Sequence, residues 1–276
     1  MNTSAYKGDP GLFGPDSITW KVMGDVSSFI GGIRALIIQA AHPEVAAGVG
    51  DHSTYRDDPL GRLSRTASYV TATSYGSMPE VKEAITTVRQ VHTHVKGLSH
   101  RGLNYSASNP KMAAWVHNAL TDSFLTSYQN FGPSPLTSAE ENTYVKEQNR
   151  LGELMGASPL PETAVDLQNW LKDHPDLENS PAGKEAIAFL AKAPLHQPVA
   201  TAYRILYAAA ASTIPEPLCR PVEINPSPYA RISGRIMIAI LRTALGASPA
   251  WAAALDRNGI TRPTNTRFRS TRGTIH

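Results

Sequence analysis

Apolar residues recur every three to four positions along most of this chain, the spacing of one face of an α-helix. Residues 27–41 are apolar nearly all round, which predicts a buried central helix, and Pro43 then opens a second, short helix. Convincing period-two alternation, which would indicate strands, is absent. Helical spacing continues through residues 79–97, 109–130, 137–155, 161–173, 181–192, 198–211 and 228–245. The pattern predicts an all-α fold organised as a single helical domain.

Start signals at the predicted helix ends agree with this pattern. Asn109 precedes Pro110, an order typical of a cap followed by proline in the first turn. Thr137 and Glu140 have the spacing of a capping box. The 21 prolines mark loops between helices, and no low-complexity linker divides the chain into two domains.

The segment VRQVHTHVKG, residues 88–97, carries two histidines two positions apart. Residues two apart on a helix point about 200° away from each other, so only one can face the interior. His92 continues the apolar stripe of its predicted helix, whereas His94 falls off it. His92 is therefore predicted on a buried face, where its ring nitrogens need partners.

Charge is concentrated at the carboxyl end of the chain. The net charge is +3, but four arginines lie in the acid-free segment 262–276; without them 22 basic residues face 23 acidic ones. This pattern argues against a nucleic-acid-binding protein and is typical of a solvated tail. We expect an N-terminal extension over residues 1–20, the helical domain over 21–256 and a basic flexible tail over 257–276.

A single cysteine, Cys219, excludes an intrachain disulfide and a multi-cysteine zinc site. The first residues lack the apolar core of a signal peptide. The longest apolar stretch is interrupted by Arg34 and Gln39 and is too short to span a bilayer. We expect a soluble, cytoplasmic protein without a transmembrane segment.

Common nucleotide-binding, zinc-protease and serine-hydrolase motifs are absent from the sequence. Polar residues instead cluster among apolar helices in the first 130 positions. Each has an ordinary structural interpretation, such as a core histidine or a cap, so only their density suggests a site. They include Arg34, His42, Asp51, His52, Arg62, Arg65, Thr66, His92, His117 and Asp122.

Two kinds of iron site are compatible with these residues. His92, one imidazole on an apolar helix face, is typical of the proximal ligand of a haem. Alternatively, His42 and His52 with an acid, Asp51, form the ligand types of a non-haem iron site. Spacing leaves both open.

Three ordered blocks carry a family resemblance: GDVSSFIGGIRALIIQAAHPEVAAGVGDHSTYRDDPLGRLSRTASY, then VRQVHTHVKG, then YSASNPKMAAWVHNALTDSF. Together they resemble the MpaB/rubber-oxygenase (latex clearing protein) catalytic-domain family, most densely over residues 24–127. The resemblance implies an all-α fold with a globin-like core and a b-type haem. It also implies O2-dependent cleavage of an isoprenoid carbon–carbon double bond.

The resemblance also assigns residues. It implies that His92 is the proximal haem ligand and that Arg62 and Thr66 match the Arg and Thr of an R-x-x-K-T motif. Arg65 stands where the motif has Lys, so the distal side is expected to differ, since an arginine is larger and always charged. Candidates for the distal carboxylate are Asp51 and Glu44.

The remaining site residues follow the same resemblance. His42 and His52 are further distal candidates, and Arg89 is a further candidate for haem contact. Catalytic roles are therefore expected for Arg62, Arg65, Thr66, His52 and Asp51, and haem binding for His92, Arg62, Thr66 and Arg89.

The expected function is a haem b-dependent oxygenase acting with O2 on a small apolar, unsaturated substrate of isoprenoid or terpenoid type. Two alternatives stay open at this point. One is a non-haem metal oxidoreductase or hydrolase at a His/Asp site, and the other is a haem- or lipid-binding protein without turnover.

Overall fold

A computed structural model describes residues 6–227, 229–246 and 248–261. It confirms the predicted all-α class, with helices that account for nearly all of the regular structure in these residues. The helices are α1 (Ile18–Met23), α2 (Ser28–Gln39), α3 (Pro43–His52), α4 (Pro59–Tyr75), α5 (Met78–His92), α6 (Pro110–Phe131), α7 (Ser138–Leu154), α8 (Ala164–Lys172), α9 (Pro181–Ala191), α10 (Val199–Ala211), α11 (Glu216–Cys219), α12 (Ala230–Leu245) and α13 (Pro249–Arg257).

The core is built around α2, the helix that is apolar on nearly every side. It packs most extensively against α6, and α10 covers a further side. Gly31 allows the close approach to α6, because a Cβ there would lie 2.6 Å from Phe124 Cδ1. The fully buried Arg34 is paired with Asp122 of α6 at 2.6 Å. The polar interruption of α2 is thus an internal ion pair. A globin-like arrangement of this core stays a prediction.

Most helix starts agree with the sequence signals, but α8 begins at Ala164, three residues after the predicted start at 161. Asn109 accepts a hydrogen bond from the Lys111 N–H, and Thr137 forms the predicted capping box with Glu140. The predicted helix over 79–97 is wrong at its end, since α5 stops at His92. The Thr93 hydroxyl donates to the Gln90 carbonyl just beyond the helix, and the chain then enters an extended segment. Position 228, the predicted start of the helix ending at 245, lies outside the described residues.

A short hairpin follows α5. Its strands β1 (Lys96–Leu98) and β2 (Asn104–Ser106) pair antiparallel, with Gly97 opposite Tyr105. The strands escaped sequence analysis because three residues are too few to show alternation. The hairpin packs against α3 and so joins the end of α5 to that helix.

The first described residues contact the end of α13 and the end of α4. Gly8 donates its N–H to the Arg257 carbonyl, and the buried Arg257 guanidinium donates to the carbonyls of Asp9 and Tyr75. Residues 1–5 of the predicted extension and 262–276 of the predicted tail lie outside the described residues. The proposed division of the chain at 20 and 256 stays a prediction.

Among the described residues, no single helix has the length and apolar character needed to cross a bilayer, although α12 and α13, bent by 53° relative to each other, would satisfy both criteria as a pair.

Candidate functional site

Helices α4 and α5 bring the main predicted site residues together. The Asp58 side chain caps α4 by accepting from the Gly61 N–H, and a capping box between Ser77 and Glu80 starts α5. Both caps satisfy amides that have no partner within the helix. The helices pack against each other, which places Arg62 close enough to act electrostatically on His92.

His92 ends the stripe predicted from the sequence. Val81 and Ile85 of the same face are buried, and His92, at the last turn of α5, is half-buried. Its ring makes no hydrogen bond to any residue of the described ranges. Burial lowers the pKa of His92, and the Arg62 guanidinium lowers it further. The side chain is therefore a neutral imidazole at pH 7, the form that binds a metal ion.

Arg62 is held in place by two hydroxyl groups. Its Nε donates to Ser53 Oγ at 3.1 Å, and its Nη1 donates to Thr66 Oγ1 at 2.8 Å. Burial lowers the pKa of Arg62, with a further lowering by the neighbouring Arg65, although a guanidinium remains charged at neutral pH. Arg62 and Thr66 thus form the connected pair that their spacing of four predicts.

Arg65 and Arg89 lie in different surroundings. Arg65 is exposed; it donates to Thr54 Oγ1 at 2.8 Å and lies 3.3 Å from the Asp58 carboxylate. Arg89, also exposed, donates to the Leu154 carbonyl at the end of α7. Both arginines are occupied by surface contacts, and their proposed roles at the site stay predictions.

Asp51 and His52, at the end of α3, contact the hairpin. Asp51 accepts a 2.5 Å hydrogen bond from the Tyr105 hydroxyl, and burial together with this bond raises the pKa of Tyr105 to about 12. His52 Nε2 lies 3.2 Å from the Lys96 carbonyl. Both side chains are exposed. They anchor the hairpin, and their catalytic roles likewise stay predictions.

A second group of polar residues surrounds His42. This buried histidine joins α2 to α3 and lies beside His174 and Asp176, which follow α8. The His42 and His174 ring centroids are 5.5 Å apart, and both rings contact the buried Trp115. Burial and His174 lower the pKa of His42 to about 4, and burial also lowers the pKa of His174. Both imidazoles are therefore neutral at pH 7.

Glu44 is the buried acid of this second group. It accepts hydrogen bonds from Ser99 Oγ at 2.7 Å and from Arg101 Nε at 3.1 Å, while its other oxygen pairs with Arg101 Nη2. Burial raises the pKa of Glu44, but the bonds from Arg101 and Ser99 outweigh it, so the pKa lies below its usual value. The sequence offered Glu44 as a distal carboxylate; the structure places it 3.4 Å from His42 Nδ1.

His174 and Asp176 were missed by sequence analysis. The signal available was the segment DHPD at 173–176, a histidine and an acid two positions apart after a predicted helix. Nothing local links it to His42, which lies 132 positions earlier. The sequence proposed His52 and Asp51 as partners of His42; within the described ranges, His174 and Asp176 form the cluster with it instead.

Fold and site together define a helical domain that presents neutral histidines at helix ends, an arrangement suited to holding iron or another metal. Residues 20–243 match the family described as "ER-bound oxygenase mpaB/B'/Rubber oxygenase, catalytic domain". The chain therefore belongs to this oxygenase family. Searches of curated proteins and of solved structures returned no match.

Proposed function

We propose that the protein is a haem b-dependent oxygenase that uses O2 to cleave or oxidise a small apolar, unsaturated substrate of isoprenoid or terpenoid type. Membership of an oxygenase family supports the reaction class. The observation that carries the haem assignment is the state of His92, a neutral, half-buried imidazole with no hydrogen-bond partner in the described part of the chain.

The residues around His92 fit a b-type haem. A single imidazole is the usual proximal ligand, and it must be unprotonated at the nitrogen that meets the iron. Arg62 offers a fixed cation for the carboxylate side chains of the porphyrin, with Thr66 beside it. When bound, the haem iron would supply the redox chemistry that activates O2.

The protein's own residues have separable tasks in this proposal. Ser53 and Thr66 hold the Arg62 guanidinium close to His92, where its charge adds to the effect of burial in lowering the pKa of the imidazole. Val81 and Ile85 close the inner side of α5 against water. Arg65 is assigned no step, because its contacts are with Thr54 and Asp58.

The test is an absorption spectrum of the full chain purified from haem-supplemented cells, beside His92→Ala and His94→Ala. His94 is the matched control, since it is exposed and lies two residues beyond the end of α5. We expect a Soret band in the wild type and in His94→Ala, and its loss in His92→Ala. Haem titration of each variant then gives the stoichiometry.

A wild-type protein without a Soret band and without a stoichiometric endpoint in haem titration would overturn the haem assignment. If the band is present, O2 uptake is measured with a panel of small terpenoids. Stoichiometric haem without O2 uptake on any of them would contradict turnover and favour a haem-binding protein.

A further inference from the structure

Three ligand atoms of His42, His174 and Asp176 lie within 4.8 Å of one another. Asp176 Oδ2 is the shared point, 3.9 Å from His42 Nε2 and 4.0 Å from His174 Nδ1. Tetrahedral ligands bonded at about 2.1 Å lie roughly 3.4 Å apart. For coordination the two histidine nitrogens, at most 4.8 Å apart, must approach each other by up to about 1.4 Å, and Asp176 must move about half an ångström towards each of them. Asp176, 49% exposed, has room to make that movement.

We propose that His42, His174 and Asp176 bind a divalent first-row transition-metal ion, at a site separate from the His92 site. Two imidazoles and one carboxylate are the ligand types that zinc and ferrous iron accept, with further positions left for water or substrate. This site goes beyond the haem oxygenase proposal and does not depend on it.

Glu44 and Asp176 lie near opposite nitrogens of the His42 ring. Glu44 Oε2 lies 3.4 Å from Nδ1, while Nε2 is the nitrogen on the Asp176 side. Neither nitrogen makes a hydrogen bond within the described residues, although only 6% of the side chain is exposed. A carboxylate on one nitrogen and a metal on the other is the usual arrangement of a metal-binding histidine. Glu44 thus favours the tautomer whose Nε2 lone pair is free.

Asp176 presents one oxygen to the proposed ion. Its Oδ2 faces the two histidines, and its Oδ1 lies 3.9 Å from Arg101 Nη2. Arg101 also pairs with Glu44 and Glu178, so one guanidinium is shared among three carboxylates. Three carboxylates around one guanidinium leave an excess of negative charge, and the cluster therefore attracts a cation.

His174 is the ligand that must give up a contact. Its Nδ1 accepts a long hydrogen bond of 3.3 Å from the Asp176 N–H. A metal ion at Nδ1 would replace this weak bond, which costs little because the amide lies beside the partly exposed Asp176 side chain.

An open cleft of about 360 Å³ adjoins the three ligands and gives an ion access from solvent. His42, His174 and Asp176 line it together with Trp170 and Lys111. A ligand of the ion would enter through this cleft, and an anionic one would meet the Lys111 side chain on its wall.

Cobalt is the probe for the test, because its visible absorption reports coordination directly and it occupies zinc-type sites. Tag-free full-length protein, as purified, is titrated with Co²⁺, followed by competition with Zn²⁺. We expect one ion per chain and a visible band that Zn²⁺ removes. Asp176→Asn and His174→Gln should weaken binding at least 100-fold, and Glu44→Gln by 10- to 100-fold.

The matched control is His100→Gln, since His100 pairs with Glu178 at 3.4 Å but is not one of the three ligands. It should retain Co²⁺ binding, and so should His92→Ala, which separates this site from the haem proposal. Asp176 is partly exposed, so Asp176→Asn should fold normally. This variant therefore keeps the test valid even where His174→Gln fails to fold. Absence of stoichiometric binding, or unchanged binding in Asp176→Asn, would overturn the proposal.

Discussion

Arg34 of α2 and Asp122 of α6 form an ion pair in the centre of the protein, with 2.6 Å between Nη1 and Oδ2. Their side chains are 1% and 4% exposed, and Ser123 Oγ accepts a second bond from the same guanidinium nitrogen. This pair joins the two most extensively packed helices. Its charges are satisfied by each other, so it is a structural element of the core.

Removing one member of this pair should destabilise the protein strongly. Asp122→Asn leaves the Arg34 charge buried without its counterion, and we expect a loss of about 3–5 kcal/mol in the free energy of unfolding. Urea denaturation measures the effect. The double variant Arg34→Met/Asp122→Leu removes both charges and should be more stable than Asp122→Asn; a double variant that is less stable would contradict this account.

Gly31 and Gly32 offer a matched test of the contact between α2 and α6. Gly31→Ala places a Cβ 2.6 Å from Phe124 Cδ1, and overpacking of this kind costs about 1–3 kcal/mol. A Cβ at Gly32 would meet nothing within 4 Å, so Gly32→Ala should gain up to about 1 kcal/mol from helix propensity. Thermal or urea unfolding of both variants checks the opposite signs.

His117, buried in α6, should make stability depend on pH. Burial lowers its pKa to about 4, against about 6.5 in the unfolded chain. At pH values between these two pKa values, His117 is therefore protonated in the unfolded chain and unprotonated in the folded protein. The free energy of unfolding carries no penalty from His117 above pH 6.5, and it falls by up to about 3 kcal/mol as the pH drops towards 4.

The check is urea unfolding at several pH values between 7 and 4. His117→Gln should reduce the slope in this window, leaving the part due to His42, whose pKa is also lowered to about 4; the exposed His196→Gln is the matched control. An undiminished slope in His117→Gln would show that other groups cause the acid sensitivity.

Arg62 should control the protonation of His92. Its positive charge disfavours the imidazolium, so Arg62→Gln should raise the pKa of His92 in haem-free protein. NMR titration of the His92 ring protons measures the shift. Arg65→Gln removes an exposed charge that contacts Thr54 and Asp58, and should change the pKa less. Equal shifts in the two variants would contradict the assigned proximity.

Local patterns predicted most of the longer helices and the position of His92, but they missed α4, the helix that carries Arg62 and Thr66, as well as α1 and α13. The stripe through Val81 and Ile85 is a property of one helix, and helical period alone places His92 on it. The same spacing does not predict where α5 ends. Val95 continues the apolar spacing, but it belongs to the turn before β1. A periodic sequence does not distinguish a helix residue from the first buried residue beyond it.

Partners from distant parts of the chain could not be predicted. The sequence placed Arg34, His42 and Asp122 in one dense polar region, yet packing separates the core ion pair of Arg34 and Asp122 from the cluster around the buried His42. His42 meets His174 only because the segment after α8 folds back near the junction of α2 and α3. Such contacts depend on tertiary packing and leave no trace in local spacing. The cytoplasmic location also stays a prediction.

The hairpin after α5 links the surroundings of both candidate centres. It begins four residues beyond His92, and Ser99 and Arg101 of its turn hold Glu44. We expect it to open as one unit of local unfolding, exposing the Ser99 amide and releasing Glu44 in the same event. The hydrogen-exchange rate of the Ser99 amide would then measure how often the surroundings of both centres open. An ion bound at His42 should lower this exchange rate, although it does not contact Ser99.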